Sequence, residues 1–199
     1  MARTGKDAPS PQQGRRDSQK ARRDWVLAGL SRLGRHGIEG VRVEPLAKDL
    51  GVTKGSFYWH FKDRRDLHDA MLEEWAATAT HAVIEQAQAG GEEAGSRLER
   101  LVEIASRGFD GRTELALRSW GEAEPRVAEV VESVDTARLA YLRRLLRDLG
   151  HSPLAAEARA FLIYSLLVGD HLIAEAHGRF GRKRVLAACF QLLGGRAEG

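Results

Sequence analysis

Apolar positions recur at helical spacing through most of the chain. Ala21, Trp25, Val26, Leu30 and Leu33 form one stripe, with Ser18 placed to cap it and Gly34 and Gly37 to close it. A short helix is predicted over 43–50, with Pro45 tolerated in its first turn, and Gly51 breaks the chain after it. Thr53 then caps a third helix over 54–60. Asp63 caps a fourth over 64–88, carrying Leu67, Met71, Trp75 and Ile84. Beyond Gly90 and Gly91, helices are expected near 95–108, 112–121, 125–149, 153–177 and 182–193, separated by Gly- and Pro-containing breaks. No alternating strand pattern, internal repeat or sustained heptad interrupts this order. The reading is an all-α protein of about nine helices.

Composition agrees. Ala and Leu number 28 and 24, whereas Val, Ile and Thr together reach 23, which favours helix over sheet. Hydrophobic residues make up 43% of the 199 positions, enough for a packed core. The single Cys189 excludes an intrachain disulfide and suits a reducing cytoplasm. The longest apolar stretch, from Phe161 to Gly169, stops at Asp170 and is too short to span a membrane.

Charge is uneven. Residues 1–65 hold 15 Lys and Arg against 7 Asp and Glu, while 66–199 hold 16 against 21. The first part is therefore basic and the second acidic. This pattern fits a polyanion-binding end joined to an ordinary globular end, and equally a basic tail with no partner. Residues 1–17 lack periodic apolar positions and read as a flexible basic arm. The expected division is arm 1–17, a basic helical domain 18–63 and an acidic helical domain 64–199.

The segment from Val43 to Leu67 carries the functional signal. Two short helices meet at a Gly-containing turn, the sequence form of a helix-turn-helix. Leu46, Ala47 and Leu50 bury the first helix, and Phe57 and Phe61 bury the second. Lys54, Gly55, Ser56, Tyr58 and Trp59 remain on the other face. They offer a cation, a position without a side chain, a hydroxyl and two aromatics with polar tips, a set that suits a duplex groove. Two adjacent exposed aromatics on a basic helix are costly unless used.

Leu46-Ala47, then Gly51-Val52-Thr53-Lys54-Gly55-Ser56-Phe57-Tyr58-Trp59-His60-Phe61, then Leu67 resemble the DNA-binding domain of the tetracycline-repressor (TetR) family of bacterial regulators. The resemblance covers roughly residues 20–70. It implies base-edge or methyl contacts from Lys54, Gly55, Ser56 and Tyr58. It implies phosphate contacts from Thr53, Trp59, His60 and Arg64. Arg42 stands where the family usually has a capping Thr or Ser; it can keep a phosphate contact but not the cap. Trp59 is bulky at a variable position.

The family further implies a second, helical domain that dimerises and often holds a small-molecule effector. Residues 160–169 are apolar all round their helix, which must then be covered on every side. Leu162, Leu166, Gly169 and Ile173, with Leu186 and Phe190 of the last helix, are the expected dimer interface, although burial within one chain explains the same periodicity. Trp75, Phe109, Trp120, Tyr141, Phe161 and Tyr164 are the candidate lining of a site for a largely apolar effector, or plain core.

The expected function is a ligand-responsive transcriptional repressor, homodimeric on a palindromic double-stranded operator, acting in the cytoplasm without contact with membranes. The alternative is a sequence-specific or architectural DNA-binding protein without a small-molecule ligand. No Gly-rich phosphate loop, HExxH, GxSxG or CxxC occurs, so no catalytic residue, cofactor or metal is assigned and an enzyme is not expected.

Overall fold

Trp25, Val26 and Leu33 of the first apolar stripe are buried, with Leu33 fully enclosed. A computed structural model describes residues 11–89, 93–108, 110–173 and 177–195. Their helices are α1 (Pro11–His36), α2 (Val43–Leu50), α3 (Lys54–Phe57), α4 (Arg64–Ala76), α5 (Ala82–Gln88), α6 (Ala94–Gly108), α7 (Gly111–Ala123), α8 (Pro125–Asp148), α9 (Pro153–Gly169) and α10 (Arg182–Gly194). A π-helical stretch, Ala77–His81, joins α4 to α5. With that pair taken as one, the described residues form nine helices and no strand. The chain divides into two compact units, Met1–Met71 and Leu72–Gly199. The boundary thus falls inside α4, eight residues beyond the start expected for the second domain.

In the first unit, α1 begins at Pro11, so residues 11–17 of the expected arm are helical. Residues 1–10 lie outside the described residues. Gly34 does not end α1; the helix runs to His36, and Gly37, at φ 65°, turns the chain away. Arg32 ties the ends of the following loop together. Its Nε donates to the Gly40 carbonyl at 2.9 Å, and its Nη1 meets Asp49 of α2 at 2.7 Å.

Helix α2 starts at Arg42 without a side-chain cap, as its lack of a hydroxyl requires. It ends in a Schellman motif: Gly51, at φ 67°, donates to the Lys48 carbonyl, and Val52 donates to the Ala47 carbonyl. The left-handed conformation at this tight turn is open to glycine at little cost. Helix α3 is shorter than expected. After Phe57 the amides of Tyr58, Trp59 and His60 bond carbonyls three residues back, so the chain tightens into turns. Asp63 does cap α4, accepting from the Asp66 amide at 2.9 Å.

In the second unit, Asp110 caps α7 and Ser152 caps α9, with Pro153 in the first turn of α9. Leu145, Leu146, Leu142, Tyr141, Ile163, Tyr164, Leu98 and Phe190 form the core. Ala156 and Ala160 are small and fully buried, which lets α9 lie close to that core. Helix α9 stops at Gly169, not near 177. A 3-10 turn (Asp170–Leu172) and an extended Ile173 follow. Arg182 holds that exit, bonding Asp170 at 3.1 Å and the Ile173 carbonyl at 2.6 Å.

Candidate nucleic-acid interface

Two rings anchor the segment that was expected to face DNA. Phe57 and Phe61 are 0% and 2% exposed, and their centroids stack 5.3 Å apart. Trp25 packs edge-on against Phe57, also at 5.3 Å, and the Arg22 guanidinium covers Phe61. With that face held inside, the opposite face turns outward. Tyr58 is 58% exposed and Trp59 86%. Thr53, Lys54, Gly55, Arg42 and Arg64 are exposed, whereas Ser56 and His60 are half-buried. Neither Thr53 nor Arg42 spends its side chain on a helix cap.

Gly55 is informative. A Cβ built there meets nothing closer than Thr53 Oγ1 at 3.8 Å. The fold itself therefore gives no steric reason for glycine, whereas close approach of a ligand backbone would. Lys62 and Arg65 are exposed nearby in sequence and extend the cationic character of the surface.

One residue here escaped the sequence reading. Glu44, in the first turn of α2, accepts a hydrogen bond from Lys54 Nζ. That bond holds the Glu44 carboxyl below its ordinary range and raises the Lys54 ammonium above its own. Glu44 and Lys54 are ten residues apart on different helices, so only the turn at Gly51 pairs them.

The comparisons with known proteins converge on this surface. Residues 27–71 match the family model described as bacterial regulatory proteins, tetR family. Over this stretch the chain is similar to the tetR family. The tetracycline repressor protein class A from transposon 1721 of Escherichia coli is 39% identical over 59 residues, which are 29% of this chain and 27% of that protein. The HTH-type transcriptional regulator AcrR of Shigella flexneri is 32% identical over 59 residues, 30% and 27% of the two chains. The chain thus spans about a quarter of the length of these curated relatives. Among solved structures, reduced E. coli NemR superposes with a TM-score of 0.70 at 20% identity, covering 89% of this chain and 98% of that one. A putative transcriptional regulator from Saccharomonospora viridis in complex with choline gives 0.69 at 18% identity, covering 88% and 94%. These likenesses establish a shared fold, a helix-turn-helix followed by further helices. Each of these proteins is named as a regulator or repressor, and none as an enzyme.

Beyond the tetR-family stretch, the second unit holds a charged interior. Glu114 is 2% exposed and Arg138 9%. Arg138 Nη1 donates to both Glu114 carboxylate oxygens at 3.2 Å and to the Tyr164 hydroxyl at 2.9 Å. Its Nε reaches Thr80 Oγ1 and its Nη2 the Ala79 carbonyl, both at 3.2 Å and both on the π-helical stretch. Arg118 makes a two-pronged contact with Asp135, at 2.9 and 2.7 Å, and also meets Glu114. Tyr164 donates to Asp135 at 2.6 Å.

This network revises the expected lining of an apolar site. Trp75 and Tyr164 do share one environment, but it is the Arg138 guanidinium, 5.4 and 5.8 Å from their rings. Trp120 and Tyr141 are buried elsewhere, beside Arg126 and Arg144 respectively. Phe161 is 62% exposed, whereas Ile163 and Tyr164 of the same helix are buried, so it does not line the interior. Phe109 lies outside the described residues. A cleft of about 530 Å³ opens along α7 and α8, with Arg118, Asp135, Val131 and Leu139 in its wall. None of the five described candidate rings lines it.

The expected dimer residues also separate. Leu162 and Ile173 are 50% and 55% exposed, while Leu166, Gly169 and Leu186 are half-buried. Phe190 is 8% exposed and packs into the chain's own core, because it falls on the inward face of α10. Among the described residues, no three His, Cys, Asp or Glu side chains group as metal ligands. No helix among them is long and apolar enough to cross a membrane.

Burial drives the Asp135 carboxyl upward, but hydrogen bonds from Arg118 and Tyr164 outweigh it, and the net shift is downward. A carboxylate depressed in the folded state adds stability above its unfolded pKa of about 3.9 and loses it as pH falls through the folded value. Wild type is therefore expected to lose stability more steeply than Asp135→Asn below about pH 4. Urea unfolding of both proteins at neutral pH and in the acid range checks this: the gap between them should narrow with acid.

Proposed function

We propose that this protein is a DNA-binding transcriptional regulator of the tetR type, a repressor that binds a palindromic operator as a homodimer and is released by a small molecule. One observation carries the DNA-binding reading: Lys54, Tyr58 and Trp59 point outward from a segment whose Phe57 and Phe61 are locked inside. In a helix-turn-helix the second short helix enters the major groove, and a two-fold dimer presents two of them about 34–36 Å apart. Lys54, Gly55, Ser56 and Tyr58 then meet base edges. Arg42, Thr53, Trp59, His60 and Arg64 meet phosphates. Such a regulator acts in the bacterial cytoplasm. The likeness to tetracycline repressors over 59 residues supports the repressor sense.

The test is selection of bound fragments from the native genome by the full chain, followed by titration at fixed salt. An inverted repeat bound at least about 10³-fold tighter than random duplex is the expected result. Equal affinity for both at the same salt overturns sequence-specific regulation, since phosphate attraction alone is blind to sequence.

The outward apolar side chains of α9 support the dimer. Phe161, Leu162 and Leu154 are 62%, 50% and 80% exposed and cluster on a helix with little polar surface. Placing Asp at Leu162 or Phe161 is expected to convert the protein to monomers in light scattering. Unchanged mass in both variants moves the interface elsewhere.

For the effector, the paired charges around Arg138 favour a polar or charged molecule over a largely apolar one. Burying an apolar ligand there would strand Glu114 or Arg138 without a partner. The effector releases DNA only by binding the released form better; moving from 1:99 to 99:1 needs about 5.5 kcal/mol of differential binding. The same network favours a second reading, DNA binding with no small-molecule ligand, because Trp75 and Tyr164 enclose charges that already satisfy each other. A small-molecule screen for operator release separates the two.

A further inference from the structure

Lys54 is paired with a carboxylate on the candidate DNA surface. Its Nζ donates to Glu44 Oε1, and the two side chains are 54% and 64% exposed. So exposed a pair contributes little to folding. The packing of the first unit does not depend on it. Its effect falls on what the surface meets.

Against phosphate, Glu44 is the wrong charge. Any contact that Lys54 makes with a sugar-phosphate chain draws this carboxylate toward a polyanion and gives up the Lys54–Glu44 bond. Against base edges the sign reverses. In the major groove, guanine offers the acceptors O6 and N7, and its partner cytosine offers the N4 amino donor. A lysine beside a carboxylate matches that pair, donor to acceptor and acceptor to donor. Adenine also has an amino donor, but its N7 acceptor lies alongside and repels a carboxylate. Cytosine presents the donor alone.

We infer that Glu44 is a specificity-determining residue of this surface. Its carboxylate accepts from a cytosine amino group in the major groove and opposes binding through phosphate alone. This rests on the DNA-binding reading above. It adds a residue outside the Leu46–Leu67 motif and a base preference that the motif does not state.

The experiment uses full-length wild type, Glu44→Gln and Glu44→Ala. Each is titrated against a random-sequence duplex across about 50–200 mM salt, and each is used to select sites from a randomised duplex pool. Circular dichroism melts verify folding, which an exposed side chain leaves unchanged. Both variants should bind random duplex about five- to tenfold tighter at 0.1 M salt, with a salt slope steeper by about 1. Both should lose a cytosine position that wild type selects. Wild-type salt dependence, or wild-type selected sites, in both variants overturns the inference and leaves the DNA-binding reading standing. Wild type that neither binds random duplex nor enriches any site overturns that reading itself, and the inference with it.

Discussion

Lys54→Ala and Tyr58→Ala are each expected to weaken operator binding by about five- to 150-fold in a gel-shift titration, the equivalent of about 1–3 kcal/mol per lost base contact. In the proposed dimer each residue would be presented twice, which puts the expected effect in the upper part of that range. Both side chains are exposed, and their loss leaves the stacked Phe57 and Phe61 undisturbed. Unfolding should therefore change by no more than about 0.5 kcal/mol. The two readouts need to part company: affinity falls and stability stays. The variants should also differ from each other. Lys54 carries charge, so its removal leaves the Glu44 carboxylate without its partner against a polyanion and weakens binding to all DNA, besides relaxing preference at the base it meets. Tyr58 carries none, so its removal leaves the salt slope and relaxes preference at the base it touches. Unchanged affinity in both variants rejects the assignment of this face to DNA.

Arg138→Ala is expected to be the most damaging single change in the second unit. Arg138 donates to Glu114, Tyr164, Thr80 and the Ala79 carbonyl from a position only 9% exposed. Its loss leaves Glu114, 2% exposed, with Arg118 as its remaining cationic partner. Breaking a buried pair in this way costs about 3–5 kcal/mol. For a chain of this size that is a fall of roughly 10 °C in Tm. The π-helical stretch should loosen as well, since Ala79 and Thr80 both lose their bond from α8. Amide hydrogen exchange over residues 77–81 reads that directly. Removing both charges with Glu114→Leu and Arg138→Met should restore much of the stability, because no buried charge is then stranded. A double variant as unstable as Arg138→Ala would show that packing, not charge, holds this interior together.

The helices were largely legible because their signals are local. Asp63 caps α4 from three residues before the amide it serves, as its position predicts, whereas Ser18 falls inside α1 and Thr53 makes no side-chain cap. The Gly51 turn and the pair Phe57–Phe61 were equally readable, since four-residue spacing alone puts two rings on one face. Where local signals misled, tertiary bonds competed with them. Helix α9 was expected to pass Gly169, but Arg182 bonds the Asp170 carboxylate and the Ile173 carbonyl and draws the chain out of the helix. Phe190 shares its helix with Leu186 at i, i+4, yet only the fold separates a core residue from a half-buried one.

The exposed face of the candidate nucleic-acid surface and the charged interior mark the two extremes. The exposure of Lys54, Gly55, Tyr58 and Trp59 follows from the chain alone, because the buried rings Phe57 and Phe61 take up the other face of one short segment, whereas Ser56 is half-buried. The places of Glu44, Arg118, Asp135 and Arg138 do not follow in this way. Glu114–Arg118 is an ordinary helical i, i+4 pair in sequence, and such pairs usually sit in solvent. Its burial depends on α8 and α9 bringing Arg138, Asp135 and Tyr164 from 17 to 46 residues away. Periodicity and capping act over one or two turns and are written in neighbouring residues. Which charges meet in the interior is settled only when distant helices pack and water is excluded between them.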